Sequence, residues 1–392
     1  MFKHVRSAAL ATALAALAGC APVKLAVVPA AAYDVVEPGQ PASEEATILE
    51  SVREARKERK IVAQVVADGS ARAAAKLMAN RLTDAPGVLP SEARNMLLEA
   101  GVGDVGARWL VGDVGYNDRA PNATDLGSMI DALGPVGGTL YVGSAAIKDS
   151  FHNKRHGAVV VVPRVVSLTG LARHYEPGAK ATVGGRFLEA VTTPFAEILS
   201  PDGSVQRLPI AAAADGTFKQ ETDVPAAPGL YVVAISGRWK GAERVLVVAP
   251  VAVGVPVAPW PKLVADFNVG NEAELEKALI KLVGDQRGKP VQNRKDLSDV
   301  AKTCALALAG GGDCAPAPEG TRLLAFDVPT EAIDRIASEI VATPGVRASW
   351  KPEATGIAVM PTKAGQFVVA LVFPAEPAAE PAKPVEPSSA SK

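Results

Sequence analysis

His156-Gly157-Ala158-Val159-Val160-Val161-Val162-Pro163 and Thr355-Gly356-Ile357-Ala358-Val359-Met360-Pro361 are two apolar runs of one design, placed far apart in the chain. Each opens with a polar residue and a Gly, continues through mostly β-branched and small residues and stops at a Pro, the pattern of a strand buried on both faces. What precedes them also corresponds. Ile130-Asp131-Ala132-Leu133-Gly134-Pro135-Val136-Gly137 stands ahead of the first run, and Ile340-Val341-Ala342-Thr343-Pro344-Gly345-Val346 ahead of the second. Farther upstream each has a charged amphipathic helix followed by an Ala-rich one (Ala73 to Leu82; Val300 to Ala309). The chain thus reads as two copies of one module, residues 44–168 and 265–373, weak in identity and consistent in order.

Within the first copy, Thr47 to Val62 sets Ile48, Leu49, Val52 and Ala55 against Arg53, Arg56, Lys57 and Lys60 on the opposite face, which predicts a surface helix. Ser70 and Ser91 are placed to cap two more, the second ending at Gly101. Thr124 to Leu133 predicts a fourth, stopped by Gly134-Pro135, and Ala158 to Leu168 a buried strand. In the second copy Asn271 and Glu274 form a near capping box for a helix through Leu275, Leu279 and Val283. Helices over 295–309 and 330–341, then strands over 356–360 and 366–373, complete it.

Between the copies, residues 169–256 lose all helical periodicity. Short runs such as Phe195 to Leu199, Thr217 to Val224 and Leu230 to Ile235 are separated by Pro201-Asp202-Gly203, Asp215-Gly216 and Pro228-Gly229. Strand-length runs at this spacing predict an immunoglobulin-like β-sandwich. Pro256, Pro259 and Pro261 then read as a stiff joint.

The order of elements resembles the CAP superfamily of cysteine-rich secretory proteins, antigen 5 and pathogenesis-related 1. Thr343-Pro344-Gly345-Val346-Arg347 is similar to that family's Ser-Pro-x-His-Arg turn, Thr355 to Val359 to its Gly-Val-Gly-Val strand, and Leu371-Val372-Phe373 to its closing strand. The resemblance implies an α+β chain, with two α-β-α sandwich modules flanking the all-β immunoglobulin-like sandwich. It also implies a cleft where two His and two acidic residues hold a divalent metal. Here the pattern departs: Val346 stands where the His belongs, the second copy has no His at all, and Val136 lies near the expected His of the first. Gly112-Asp113-Val114-Gly115 supplies at most the acid, Asp113. The modules therefore read as degenerate and non-catalytic, with no cofactor.

The ends set the address. Residues 1–19 combine Lys3, His4 and Arg6 with an uncharged run from Ser7 to Ala18, the three-part logic of an export signal. The run is too short for a span, which takes about 20 residues. Leu17-Ala18-Gly19-Cys20 resembles the lipobox of bacterial lipoproteins, which implies a lipid on Cys20. By the same resemblance, Ala21 in place of Asp directs the protein to the outer membrane of the cell envelope. Residues 20–43, with Pro22, Pro29, Pro38 and Pro41, read as a tether, and residues 374–392, rich in Pro, Ala, Glu and Ser, as a disordered tail. Once Cys20 is set aside, Cys304 and Cys314 remain. They flank Gly310-Gly311-Gly312 and predict a disulfide in an oxidising compartment; two free thiols or half a zinc site are the other readings.

Composition narrows the chemistry. A net charge of −1 offers no basic field for nucleic acid. Four His and 5% aromatic residues leave little material for catalysis. Asp149, His152 and His156 are the one dense set of metal-ligand types, drawn as i and i+4 on a helix with Asp149 joining them. The same residues also read as an exposed basic loop, since Lys154 and Arg155 would repel a cation. No Gly-x-Ser-x-Gly elbow occurs, and Gly310 to Gly312 lacks the Gly-Lys-Ser/Thr of a phosphate loop. Trp239, Trp260 and Trp350 suit packing as well as ligand stacking. The expected role is a lipid-anchored binding or scaffold protein facing an envelope or extracellular partner, with a hydrolase or metal-dependent enzyme working through the first module as the alternative.

Overall fold

The structure is a computed structural model that describes residues 24–34, 43–58, 64–84, 87–88, 90–115, 139–149, 154–202, 204–257, 271–287, 289–329, 354–361 and 366–374. The expected export signal and Cys20 (residues 1–23), the helices predicted over 124–133 and 330–341, the Thr343 to Arg347 turn, His152, Trp260, Trp350 and the residues beyond Pro374 lie outside the described residues.

The first region runs α1 (Ser43–Glu58), β1 (Val65–Ala67), α2 (Gly69–Leu82), α3 (Pro90–Glu99), β2 (Arg108–Gly115), β3 (Leu140–Asp149) and β4 (Lys154–Pro163). Its strands lie in the order β1-β3-β4-β2, with β1 parallel to β3 and the others antiparallel. Period-two alternation gives the sheet two apolar faces. Val142 and Val161 meet Ile48 and Val52 of α1, while Ala145, Ala158, Val160 and Val162 meet Ala71, Ala74, Met78 and Leu97 of α2 and α3. The N-cap of α2 is Asp68 rather than Ser70: its Oδ1 accepts the Ala71 N–H at 2.6 Å. The run of Ala in α2 lets the helix lie so low that a Cβ at Gly143 would overlap the Arg72 nitrogen and the Ala71 carbonyl carbon.

The last region is α4 (Glu272–Arg287), β13 (Gln292–Asn293), α5 (Lys295–Ala309), β14 (Thr321–Pro329), β15 (Ala354–Pro361) and β16 (Gln366–Pro374). Its strand order, β13-β15-β16-β14, is that of the first region. The correspondence extends to single residues. The Asp68 N–H donates to Val142 O and the Arg294 N–H to Thr355 O, each at 2.9 Å. The next residue along the strand is Gly143 in one and Gly356 in the other, and a Cβ at Gly356 would likewise overlap the backbone of Leu297 and Ser298 in α5.

The middle consists of β5 (Val166–Thr169), β6 (His174–Tyr175), β7 (Lys180–Phe187), β8 (Thr192–Leu199), β9 (Val205–Pro209), β10 (Thr217–Asp223), β11 (Gly229–Trp239) and β12 (Ala242–Val253). Sheet β10-β7-β5 faces β6-β12-β11-β8-β9, and Leu168, Phe187 and Phe218 from one pack with Val233, Ile235 and Val251 from the other. Tight turns carry their own acceptors: Asp202 takes the Ser204 N–H at 2.9 Å and Asp215 the Thr217 N–H at 3.0 Å, as Asx turns do.

The outer edge of β12 overturns the predicted architecture. β14 adds in parallel at Glu243 and Arg244, Asp104 bridges Val247, and β6 adds at Ala252 and Val253. The last region therefore continues the middle region's sheet, giving one nine-stranded sheet. Among the described residues strand outweighs helix, 45% to 25%. Two helix-rich CAP α-β-α sandwiches flanking a separate β-sandwich are not what forms. The physical reason is that an open edge of N–H and C=O groups is costly to bury unpaired, and β14 satisfies it. Arg108 to Gly115, Leu140 to Asp149 and Thr321 to Pro329 are strands, in stretches to which the sequence pattern assigns no element.

The tether is corrected in part. The Leu25 N–H donates to Asn80 Oδ1 at 2.8 Å, and Asn80 Nδ2 returns a bond to Leu25 O at 2.9 Å. Lys24 pairs with Asp84 at 2.7 Å. Ala30 bonds to Glu99 O at 2.8 Å, and the buried Tyr33 hydroxyl donates to Pro250 O at 2.7 Å. Residues 24–34 lie against the body because Leu25 and Tyr33 have apolar surface to bury there.

Candidate functional site

Two clusters of charged side chains lie along β12, one beside its outer edge and one that includes its Glu243. Arg94 of α3 donates to the carbonyls of Gly103 and Asp104, at 3.3 and 3.2 Å. Arg164 pairs with Asp68 at 3.2 Å, lies 3.9 Å from Asp104 and stacks 5.0 Å from the Tyr141 ring centroid. Burial pushes the Asp104 carboxyl above the usual carboxylate range, and Arg164 offsets this in part. This cluster ties the first region to the middle sheet.

The second cluster crosses four strands. Glu197 on β8 pairs with Arg322 on β14 at 3.1 Å, Arg322 also pairs with Glu243 on β12, and Arg207 on β9 lies 3.8 Å from Glu243. Arg207 stacks on Phe195, 3.4 Å from its centroid. Burial raises the Glu197 carboxyl despite the guanidiniums of Arg322 and Arg207 beside it. Both clusters alternate cation and anion across element boundaries, the arrangement of a structural ion network.

One opening among the described residues is apolar. Strands β9 and β10 end their respective sheets, and between them a narrow cleft with an interior volume of about 60 Å³ runs into the sandwich. Leu208, Ile210, Phe218 and Tyr231 wall it, with Gln220 and Thr222 among its polar lining. Such a wall binds by burial, worth about 25 cal/mol per Å². Nothing in the strand pattern announced it, because a cleft between two edges depends on which strands end each sheet.

No known protein family matches the chain. No curated protein matches it either. Among solved structures, a polysaccharide lyase aligns at 15% identity over 38% of this chain and 20% of its own, with a TM-score of 0.19. The chain thus spans about a fifth of that lyase's length, and a likeness of this degree carries no argument about fold or chemistry.

Of the residues singled out from sequence, the fold joins Asp149 to His156, at 3.4 Å and both buried. They meet across a β-hairpin, Ile147 lying opposite His156 and Asp149 opposite Lys154. Neither the helix drawn for them nor the exposed loop is present at these two positions. Asp113 lies opposite His156 on β2 in backbone register. No group of three metal-ligand side chains occurs among the described residues. Cys304 and Cys314 are joined in a disulfide, closing the turn after α5 in which Gly311 has φ +81°. Trp239 donates its indole N–H to Glu189 at 2.8 Å and lies beneath Lys240 and Arg244, a packed position at the β11–β12 hairpin.

Proposed function

We propose that this protein is a cell-envelope lipoprotein, held to the outer membrane through Cys20, that acts by binding an envelope or extracellular partner. The observation that carries the anchor is Leu17-Ala18-Gly19-Cys20 placed directly after a charged start and a short apolar run. Support for an oxidising compartment comes from the Cys304–Cys314 disulfide. Support for binding comes from the apolar cleft between β9 and β10, and from the buried carboxylates Asp104 and Glu197 being engaged with Arg164 and Arg322.

The anchor is tested by expressing the full chain and C20A and measuring intact mass and membrane partitioning. The wild type should carry an acylated N-terminal Cys and pellet with membranes, while C20A should be soluble. A soluble, unmodified wild type overturns the reading. Binding is weighed against metal chemistry by calorimetric zinc titration. A stoichiometric site abolished by His152→Ala and His156→Ala would replace binding with the metal-dependent alternative.

A further inference from the structure

The leash between anchor and body is short. Ala21, Pro22 and Val23 alone separate Cys20 from Lys24, and four Cα steps span at most about 14 Å when fully straight. From Lys24 onward the chain is fastened. Lys24 is paired with Asp84, the Leu25 backbone is bracketed by Asn80, and the Leu25 side chain packs on the cluster formed by α2 and α3. A folded body of roughly 350 residues has a radius of gyration of about 20 Å. The leash is shorter than that radius, so the body cannot turn an arbitrary face to the bilayer.

We propose that the pole formed by Lys24, the C-terminal end of α2 (Asn80 to Asp84) and Glu92 of α3 is a lipid-facing surface that rests on the headgroups. This rests on the reading of Cys20 as lipidated. The occupant is a bilayer surface because the anchor's own lipid enters it within about 14 Å of Lys24. The charges agree with that choice. Lys24–Asp84 at 2.7 Å and Arg81–Glu92 at 3.1 Å are matched pairs, so neither zwitterionic nor anionic headgroups meet an uncompensated like charge. The consequence is a fixed presentation: β12 and the sheet built on it stand at a set orientation to the membrane.

The test uses the lipidated full chain in phosphatidylcholine vesicles carrying a headgroup-attached quencher. A fluorophore is placed on Thr83→Cys at the pole, or on Asp202→Cys. Asp202 lies in the β8–β9 turn, at the opposite edge of the sheet from the edge of β12 that holds Asp104. Quenching at position 83 should exceed that at 202 several-fold. Inserting a Gly-Ser spacer of about 20 residues, with an r.m.s. span of about 25 Å, between Val23 and Lys24 should remove the difference. Mass spectrometry of the same sample separates the two claims. If Cys20 carries no lipid, the anchor and the orientation both fall. If the lipid is present and the two positions quench alike, the orientation alone is overturned.

Discussion

Gly143→Ala tests the packing on which both repeated regions depend. The added Cβ would stand 2.5 Å from Arg72 Cα and nearer still to the Arg72 nitrogen and the Ala71 carbonyl carbon. These are backbone atoms of α2, held by the Asp68 cap, so no side-chain rotation relieves the overlap. To restore an ordinary contact of about 3.5 Å, α2 must lift by about 1 Å or more, and such a gap forfeits a quarter to a half of each dispersion contact beneath it. Ala71, Ala74, Ala75, Met78, Ala79 and Leu82 are all buried under that helix. The expected loss is at least about 3 kcal/mol, the upper part of the overpacking range. Gly112→Ala is the control, since it lies in β2 of the same sheet with nothing within 4 Å of its new Cβ. It should change stability by less than about 1 kcal/mol, in either direction. Urea unfolding of the soluble fragment from Lys24 followed by circular dichroism, with hydrogen exchange of the α2 amides, measures both. A Gly143→Ala protein no less stable than Gly112→Ala would refute the close approach. Gly356→Ala should repeat the effect against Leu297 and Ser298 in α5.

Two further outcomes follow from the buried charges and the disulfide. The Glu197 carboxyl is raised by burial, so the folded state holds this proton more tightly than the unfolded chain. Its contribution is complete below the ordinary carboxylate pKa and is lost as pH rises through the raised folded value. Glu197→Gln should therefore match the wild type near pH 4 and gain on it toward pH 7 in urea midpoints, and a pH-independent difference would contradict this. Cys304→Ser opens a short loop and should cost about 3 kcal/mol, read as a lowered urea midpoint that reductant reproduces in the wild type.

How much was legible follows the range of each interaction. α5 was predicted over Lys295 to Ala309 and forms there, because its Leu297, Ala301, Cys304 and Ala305 stripe is local information. The strands at 354–361 and 366–374 were read within two residues of their ends for the same reason. Arg108 to Gly115 and Leu140 to Asp149 were missed. Interrupted by Gly112 and Gly143, their apolar runs are too short to separate from helix by periodicity. Asp149 and His156 were noticed as neighbours in sequence, but their pairing across a hairpin needed the register of β3 and β4. Glu197, Glu243 and Arg322 were not noticed. Each is an ordinary charged residue until β8, β12 and β14 come side by side.

The sequence by itself carried the repeat, the turn chemistry of the middle region, the pairing of Cys304 with Cys314 and the resemblance of Leu17 to Cys20 to a lipobox, because each is written in residues close enough to be read together. Tertiary structure decided that the three regions are not separate modules. Residues 103–105, β6 and β14 all line up on one edge of β12, since that edge's backbone groups need partners that the local sequence does not supply. It also decided that residues 24–34 lie on the body, because the surfaces that bury Leu25 and Tyr33 are assembled from α2, α3 and β12, which the chain has yet to reach when those residues are read.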